Sequence, residues 1–203
     1  MKKGEPFDRH IRLFRNDLME RMTLISPVTL VVAWVPMLAL AVYASWGVAD
    51  ILASVGLVMV GLLIWSLFEY AMHRFLFHMK LASELGRSFI FLTHGNHHTQ
   101  PNDPLRNIMP PFVSIGISST VWLILWLLAG SAGSVIFLGF GIGYVTYDVV
   151  HYTCHQIPLR HGLLGRLRRH HIRHHHSREE GNYAITAIFW DRVFGTEVVG
   201  KRR

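Results

Sequence analysis

Four long apolar runs, at residues 28–46, 51–68, 112–129 and 135–147, constrain this chain more than any other feature, and none contains a Lys, Arg, Asp or Glu. A bilayer core of about 30 Å takes roughly 20 helical residues, so the first three runs are long enough to cross it. The fourth spans if it continues through Asp148 to His151. The expected architecture is an all-α integral membrane protein with four transmembrane helices arranged as two hairpins. The alternative, buried core helices of a soluble domain, leaves a chain of 203 residues with too little polar surface to cover four such runs. A mixed polar segment precedes the first run, which argues against a cleaved signal peptide.

The placement of charge then sets an orientation. All 20 lysines and arginines fall before Pro27, between Glu69 and Pro111, or after Val150, and the short connections at 47–50 and 130–134 carry none. Two hairpins would therefore put every positive charge, both termini and the polar segments on one face, which the positive-inside tendency makes the cytoplasmic one. The formal charge of +7 is accounted for by topology and by attraction to anionic headgroups, so no nucleic-acid partner is expected. Residues 1–27 form a basic N-terminal segment. Phe7, Ile11, Phe14, Leu18 and Met22 recur in it at helical spacing, which suggests an amphipathic helix along the headgroups, the alternative being a solvated lead-in. Residues 28–203 read as one membrane domain.

The single cysteine, Cys154, excludes a disulfide framework and any thiolate-held metal cluster, and is read as packing. Histidine is a different matter. Ten of the 14 histidines form a spaced set. His73 and His78 lie in "EYAMHRFLFH" and His94, His97 and His98 in "THGNHH"; His151 and His155 lie in "YDVVHYTCH" and His171, His174 and His175 in "HHIRHHH". Each half of the chain thus gives a spaced pair and then a triplet, on the same side of the membrane.

Positions three and four apart share a helical face, so each triplet can point three imidazoles toward one place, and His151 and His155 can do so across one turn. His73 and His78 are five apart and do not share an α-helical face well, so the helix is expected to end or bend between them, or the two to serve different metals. Ten clustered imidazoles beside a membrane are costly without a cation among them, and their number suits two ions. Imidazole fits zinc, copper, iron or nickel. The remaining histidines, His10, His161, His170 and His176, read as satisfied or surface residues. Glu69 and Asp148 each stand about one turn before a histidine and are placed to accept its second ring N–H and fix its tautomer; a helix-end carboxylate is the alternative.

"LIWSLFEYAMHRFLFHMK", "FLTHGNHH", "YVTYDVVHYTCH", "LRRHHIRHHH" and "NYAITAIFWDRVFGT" together resemble, in order, the signatures of the membrane-bound fatty acid hydroxylase superfamily, and within it the fatty acid 2-hydroxylase branch. The likeness covers roughly residues 62–196 of the membrane domain. It implies a cytosolic helical cap over the spans, a dimetal site held by the ten histidines, and two non-haem iron ions, with zinc able to replace them in purified protein. It further implies O2-dependent hydroxylation of a fatty acyl chain at C2. The sequence carries no cytochrome b5-like segment, so electrons are expected from a separate donor, cytochrome b5-like or ferredoxin-like. Phe75, Phe77, Met79 and Trp190 are candidates to line an acyl path, with membrane-facing packing as the alternative, and the closing run is expected to fold back over the site. Two other functions fit the histidines: a related oxidase acting on a sterol, carotenoid or alkane, and a metal transporter or sensor. Transport normally places ionisable ligands at mid-membrane depth, whereas these histidines sit at one end of the spans.

Overall fold

A computed structural model describes residues 11–200. Nine helices are formed among them, in the order α1 (Asp17–Arg21), α2 (Pro27–Ser45), α3 (Ile51–Ala71), α4 (Glu84–Ile90), α5 (Asn96–Thr99), α6 (Pro111–Ala129), α7 (Ala132–Gln156), α8 (Gly162–His176) and α9 (Phe189–Val193). The starts of the long helices are written locally. Ser26 and Asp50 accept backbone N–H groups of Thr29 and Ala53, and Pro27 and Pro111 occupy first-turn positions whose missing N–H costs nothing. Gly130, at φ 58°, ends α6 and turns the chain into α7.

Four helices are long and apolar enough to cross a bilayer, the second of them running from Ile51 to Phe77. Their roles differ. Within its most apolar stretch α7 is 67% buried, against 11–17% for the other three, so α7 is the axis and the others surround it. α3, α2 and α6 each pack chiefly on α7, and their outward faces carry exposed Val31, Val35, Leu52, Val55, Leu127 and Leu128 as a lipid-facing surface. The closest approach is between α3 and α7. A Cβ on Gly61 would lie 1.9 Å from the Ile136 carbonyl, and one on Gly139 would lie 2.1 Å from that of Val58, so each helix seats a glycine against the other's backbone. Toward the polar end Trp65 of α3 meets Phe140, Tyr144 and Tyr147 of α7 at ring separations of 5.0, 5.3 and 5.6 Å, and Trp34 of α2 stacks on Tyr144 at 4.3 Å.

The cap over this bundle consists of α4, α5, the loop to Pro110, α8 and the closing segment with α9. The amphipathic helix expected from Phe7 to Met22 is not what forms there. Phe7 and His10 lie outside the described residues, Ile11 to Asn16 is not helical, and only the single turn α1 appears. The reason is a competing acceptor: the Glu20 carboxylate takes the N–H groups of Leu13 and Phe14, both at 2.9 Å, and pairs with buried Arg106 at 2.5 Å. Arg106 also donates to the Ile11 carbonyl, tying the segment to the cap.

Candidate metal centre

The long helices deliver the histidines to one end of the bundle. α3 continues into a π-helical turn, Met72–Phe77, whose i→i+5 bonding brings residues five apart onto one face. His73 and His78 consequently lie with ring centres 5.1 Å apart, so the bend expected between them is a local widening and they share a site. A second π turn, Phe91–Gly95, runs into α5 and carries His94 toward His98, at 4.6 Å. The last turns of α7 supply His151 and His155, and those of α8 supply His171, His174 and His175.

The ten histidines resolve into two groups of five: His73, His78, His94, His98 and His174 in one, and His97, His151, His155, His171 and His175 in the other. The triplets do not act as units, contrary to the expectation that each points to one place. Residues four apart, His94 with His98 and His171 with His175, stay together, while the member three along from the first, His97 or His174, crosses to the other group.

In both groups the Nε2 atoms converge. They form chains of contacts, His78–His174–His98–His94–His73 at 2.9–3.1 Å and His151–His97–His175–His171–His155 at 2.8–3.0 Å. For His73, His151 and His174 the proton positions follow from the partners. Each sends Nδ1 to a backbone carbonyl, of Tyr183, Asn107 and Gly181 respectively, and a carbonyl only accepts, so Nδ1 carries the hydrogen and a neutral ring presents a bare lone pair at Nε2. Five ring nitrogens converging in this way form a ready-made donor set for a cation. Two imidazole nitrogens bound at right angles to an ion at about 2.1 Å lie ~3.0 Å apart, against ~3.4 Å in a tetrahedron, so the spacing suits a five-ligand site better than a four-ligand structural one. Burial, reinforced by neighbouring histidines, holds His94, His97 and His171 well below the ordinary imidazole range and His98 at about 3. His174 sits at about 4, again through burial first. Neutral rings are the form a metal takes.

The two acids expected to brace histidines do something else. Glu69 accepts the N–H groups of Ile185 and Thr186, both at 2.7 Å, and the Thr186 hydroxyl, so it clamps the closing segment. Asp148 interacts with Tyr144 and the Met109 backbone, and its Oδ2 has no hydrogen-bond partner among the described residues. Backbone carbonyls take the bracing role for which the acids were candidates. One brace left no advance signal: His170, read as a surface residue, is buried and bonds Asp191 at 2.9 Å. Asp191 also accepts from Tyr183 and Ala184 N–H, and Asn182, at φ 55°, ties His170 to Val198. This knot positions the Gly181 and Tyr183 carbonyls over His174 and His73. His176 is exposed, as read; His161, read as a satisfied polar residue, is exposed as well; and Cys154 is core, as read.

An apolar cavity of about 450 Å³, walled by Met72, Leu76, Phe77, Leu92, Met109 and Ile117, lies beside the groups. Phe77, Leu92, Thr93, Met109 and Pro110 also wall a smaller space of about 80 Å³ that reaches His94, His97 and His151. Of the four proposed path residues only Phe77 lines these spaces. Phe75 and Met79 are exposed, and Trp190 donates to Ser66 and packs on Phe194.

A family model for fatty acid hydroxylases matches residues 58–196. The chain belongs to the fatty acid hydroxylase family. As a fatty acid hydroxylase it is 36% identical over 190 residues to a dihydroceramide fatty acyl 2-hydroxylase of Arabidopsis thaliana, covering 91% of this chain and 79% of that protein. It is 33% identical over 218 residues to human fatty acid 2-hydroxylase, covering 95% of this chain and 58% of the human one. A solved structure of full-length scs7p, in which only the hydroxylase domain is visible, matches with a TM-score of 0.84 at 30% identity, over 91% of this chain and 71% of that one. The chain is thus a multi-pass membrane fatty acid hydroxylase with a histidine-rich metal site.

Proposed function

We propose that this fatty acid hydroxylase is a di-iron monooxygenase that inserts one oxygen atom at C2 of a fatty acyl chain. The observation that carries the reading is the placing of two converging five-imidazole groups next to a small space that reaches three of their rings and shares Phe77, Leu92, Thr93, Met109 and Pro110 with the larger apolar cavity. The relatives named as 2-hydroxylases supply the regiochemistry. His73, His78, His94, His98 and His174 would hold one ion, and His97, His151, His155, His171 and His175 the other. Iron bound there would supply the one-electron chemistry that O2 requires and that zinc lacks. The balance is one C–H bond, one O2, two electrons and two protons giving one C–OH and one water.

The chain's own residues provide the rest. Met72, Leu76, Leu92 and Ile117 offer an acyl chain a wall from the lipid side, and Phe77 stands between that wall and the histidines. The Glu69 clamp on Ile185 and Thr186 and the Asp191 knot keep the closing segment over the site, excluding bulk water. No side-chain base is required for removing a C–H hydrogen. A sterol, carotenoid or alkane substrate would share the metals and differ only in product, and a transporter reading gains no support from ligands gathered at one end of the spans. By the distribution of lysine and arginine, the metal centre and both termini face the cytoplasm.

The test is lipid mass spectrometry of a host expressing the chain beside one expressing His174→Ala at equal level, with labelled fatty acid supplied. The wild type should yield labelled 2-hydroxyacyl lipid and the variant none. Equal 2-hydroxyacyl pools in both hosts, or a hydroxylated sterol or alkane in place of the acyl product, would refute the assignment.

A further inference from the structure

On α8 one helix has two chemical faces. His171, His174 and His175 point inward to the metal centre, while Arg166, Arg169, Arg173 and His176 recur at intervals of three, four and three residues, which places them in one stripe on the opposite side. Arg168, Arg169, Arg173 and His176 line an open groove of about 450 Å³ completed by Val198 to Gly200. Arg12, Lys80, Arg106 and Arg192 are paired with carboxylates; among the described residues no ion pair to a carboxylate forms at Arg166, Arg168, Arg169 or Arg173, nor at scattered Arg15, Arg21, Arg74, Arg87, Arg160 and Arg178, and α8 is where such arginines gather on one element. Arg169 and Arg173 are instead held by the carbonyls of Arg160 and Val198, which fix their direction without cancelling their charge. One acid, Glu179, also lines the groove.

We infer that this arginine groove is the docking surface for an acidic one-electron carrier protein. The inference rests on the oxygenase reading above, which requires two electrons per turnover, each carrier being oxidised by one. Position favours it. A carrier seated in the groove is separated from ligand-bearing His171 and His175 by the thickness of a single helix, ~10 Å, and the helix that receives it supplies ligands to both groups. Fixed, uncancelled guanidiniums are also what speeds encounter with an acidic partner.

The experiment uses the full chain in nanodiscs of zwitterionic lipid and compares wild type with Arg169→Glu/Arg173→Glu. The probe is a soluble acidic cytochrome b5 domain. First, binding of the oxidised probe is titrated with no turnover involved. A tenfold or greater rise in Kd in the variant, with metal content and thermal midpoint unchanged, is expected, and so is a weaker salt dependence. Second, hydroxylation is driven by the reduced probe and, in parallel, by a small chemical reductant. KM for the probe should rise at least tenfold while the reductant-driven yield stays the same. An unchanged Kd and KM overturns the docking assignment. So does a loss that appears only in discs containing anionic lipid, which would make the groove a headgroup site. Absence of product in wild type with the chemical reductant, beside normal probe binding, would instead strike the oxygenase reading and leave the docking surface standing.

Discussion

At the level of single residues, the metal centre is braced by groups outside the set of ten converging histidines. Asp191 is fully buried and takes hydrogen bonds from Tyr183, Ala184, Thr196 and His170, and the Tyr183 carbonyl in turn receives His73. Replacing it with alanine strands those donors and should cost about 3 kcal/mol or more. Because His73 and His174 are the rings held by this segment, Asp191→Ala should lower occupancy in the group containing them before the other. Metal analysis of the purified variant against His155→Ala checks this, and equal, full loading in Asp191→Ala would contradict it. The ten histidines themselves were legible in the sequence from spacing alone, whereas their braces were not, since a backbone carbonyl as acceptor leaves no trace in residue type. That is why Glu69 and Asp148, the visible acids, attracted a role that Gly181, Tyr183 and Asn107 perform.

Among the secondary-structure elements, the four spans and the placement of charge could be read in advance because hydrophobic length and lysine–arginine distribution are sums over many residues. Two local features could not, beyond the expectation of some bend between His73 and His78. The turn at Met72–Phe77 departs from the 3.6-residue period on which face arguments rest, and the N-terminal segment follows Glu20 and Arg106 instead of its own periodicity. The α3–α7 crossing was also hidden, because a glycine seated on a partner's backbone reads like any other glycine. Gly61→Val is expected to force those helices apart, with a stability loss of about 1–3 kcal/mol or more from overpacking. Since α3 leads to His73 and His78 and α7 to His151 and His155, both groups should lose metal together. Thermal melts and metal content of Gly61→Val measured side by side decide it, a stable and fully loaded variant being the contrary result.

For the molecule as a whole, one end carries the described lysines and arginines, the converging histidines, the cavity and the arginine groove, while the rest is scaffold presented to lipid. The crossing of His97 and His174 between groups ties the two ion positions into a single unit. α5 and α8 each send side chains to both positions, so an ion arriving at one orders the very helices that carry donors for the other. Iron uptake by chelator-stripped protein should therefore be sigmoidal, passing from empty to doubly filled with few singly filled molecules, which native mass spectrometry in detergent can count. In a cell short of metal, such a protein would divide into fully competent and fully inert copies instead of accumulating half-equipped ones that consume reductant without forming product.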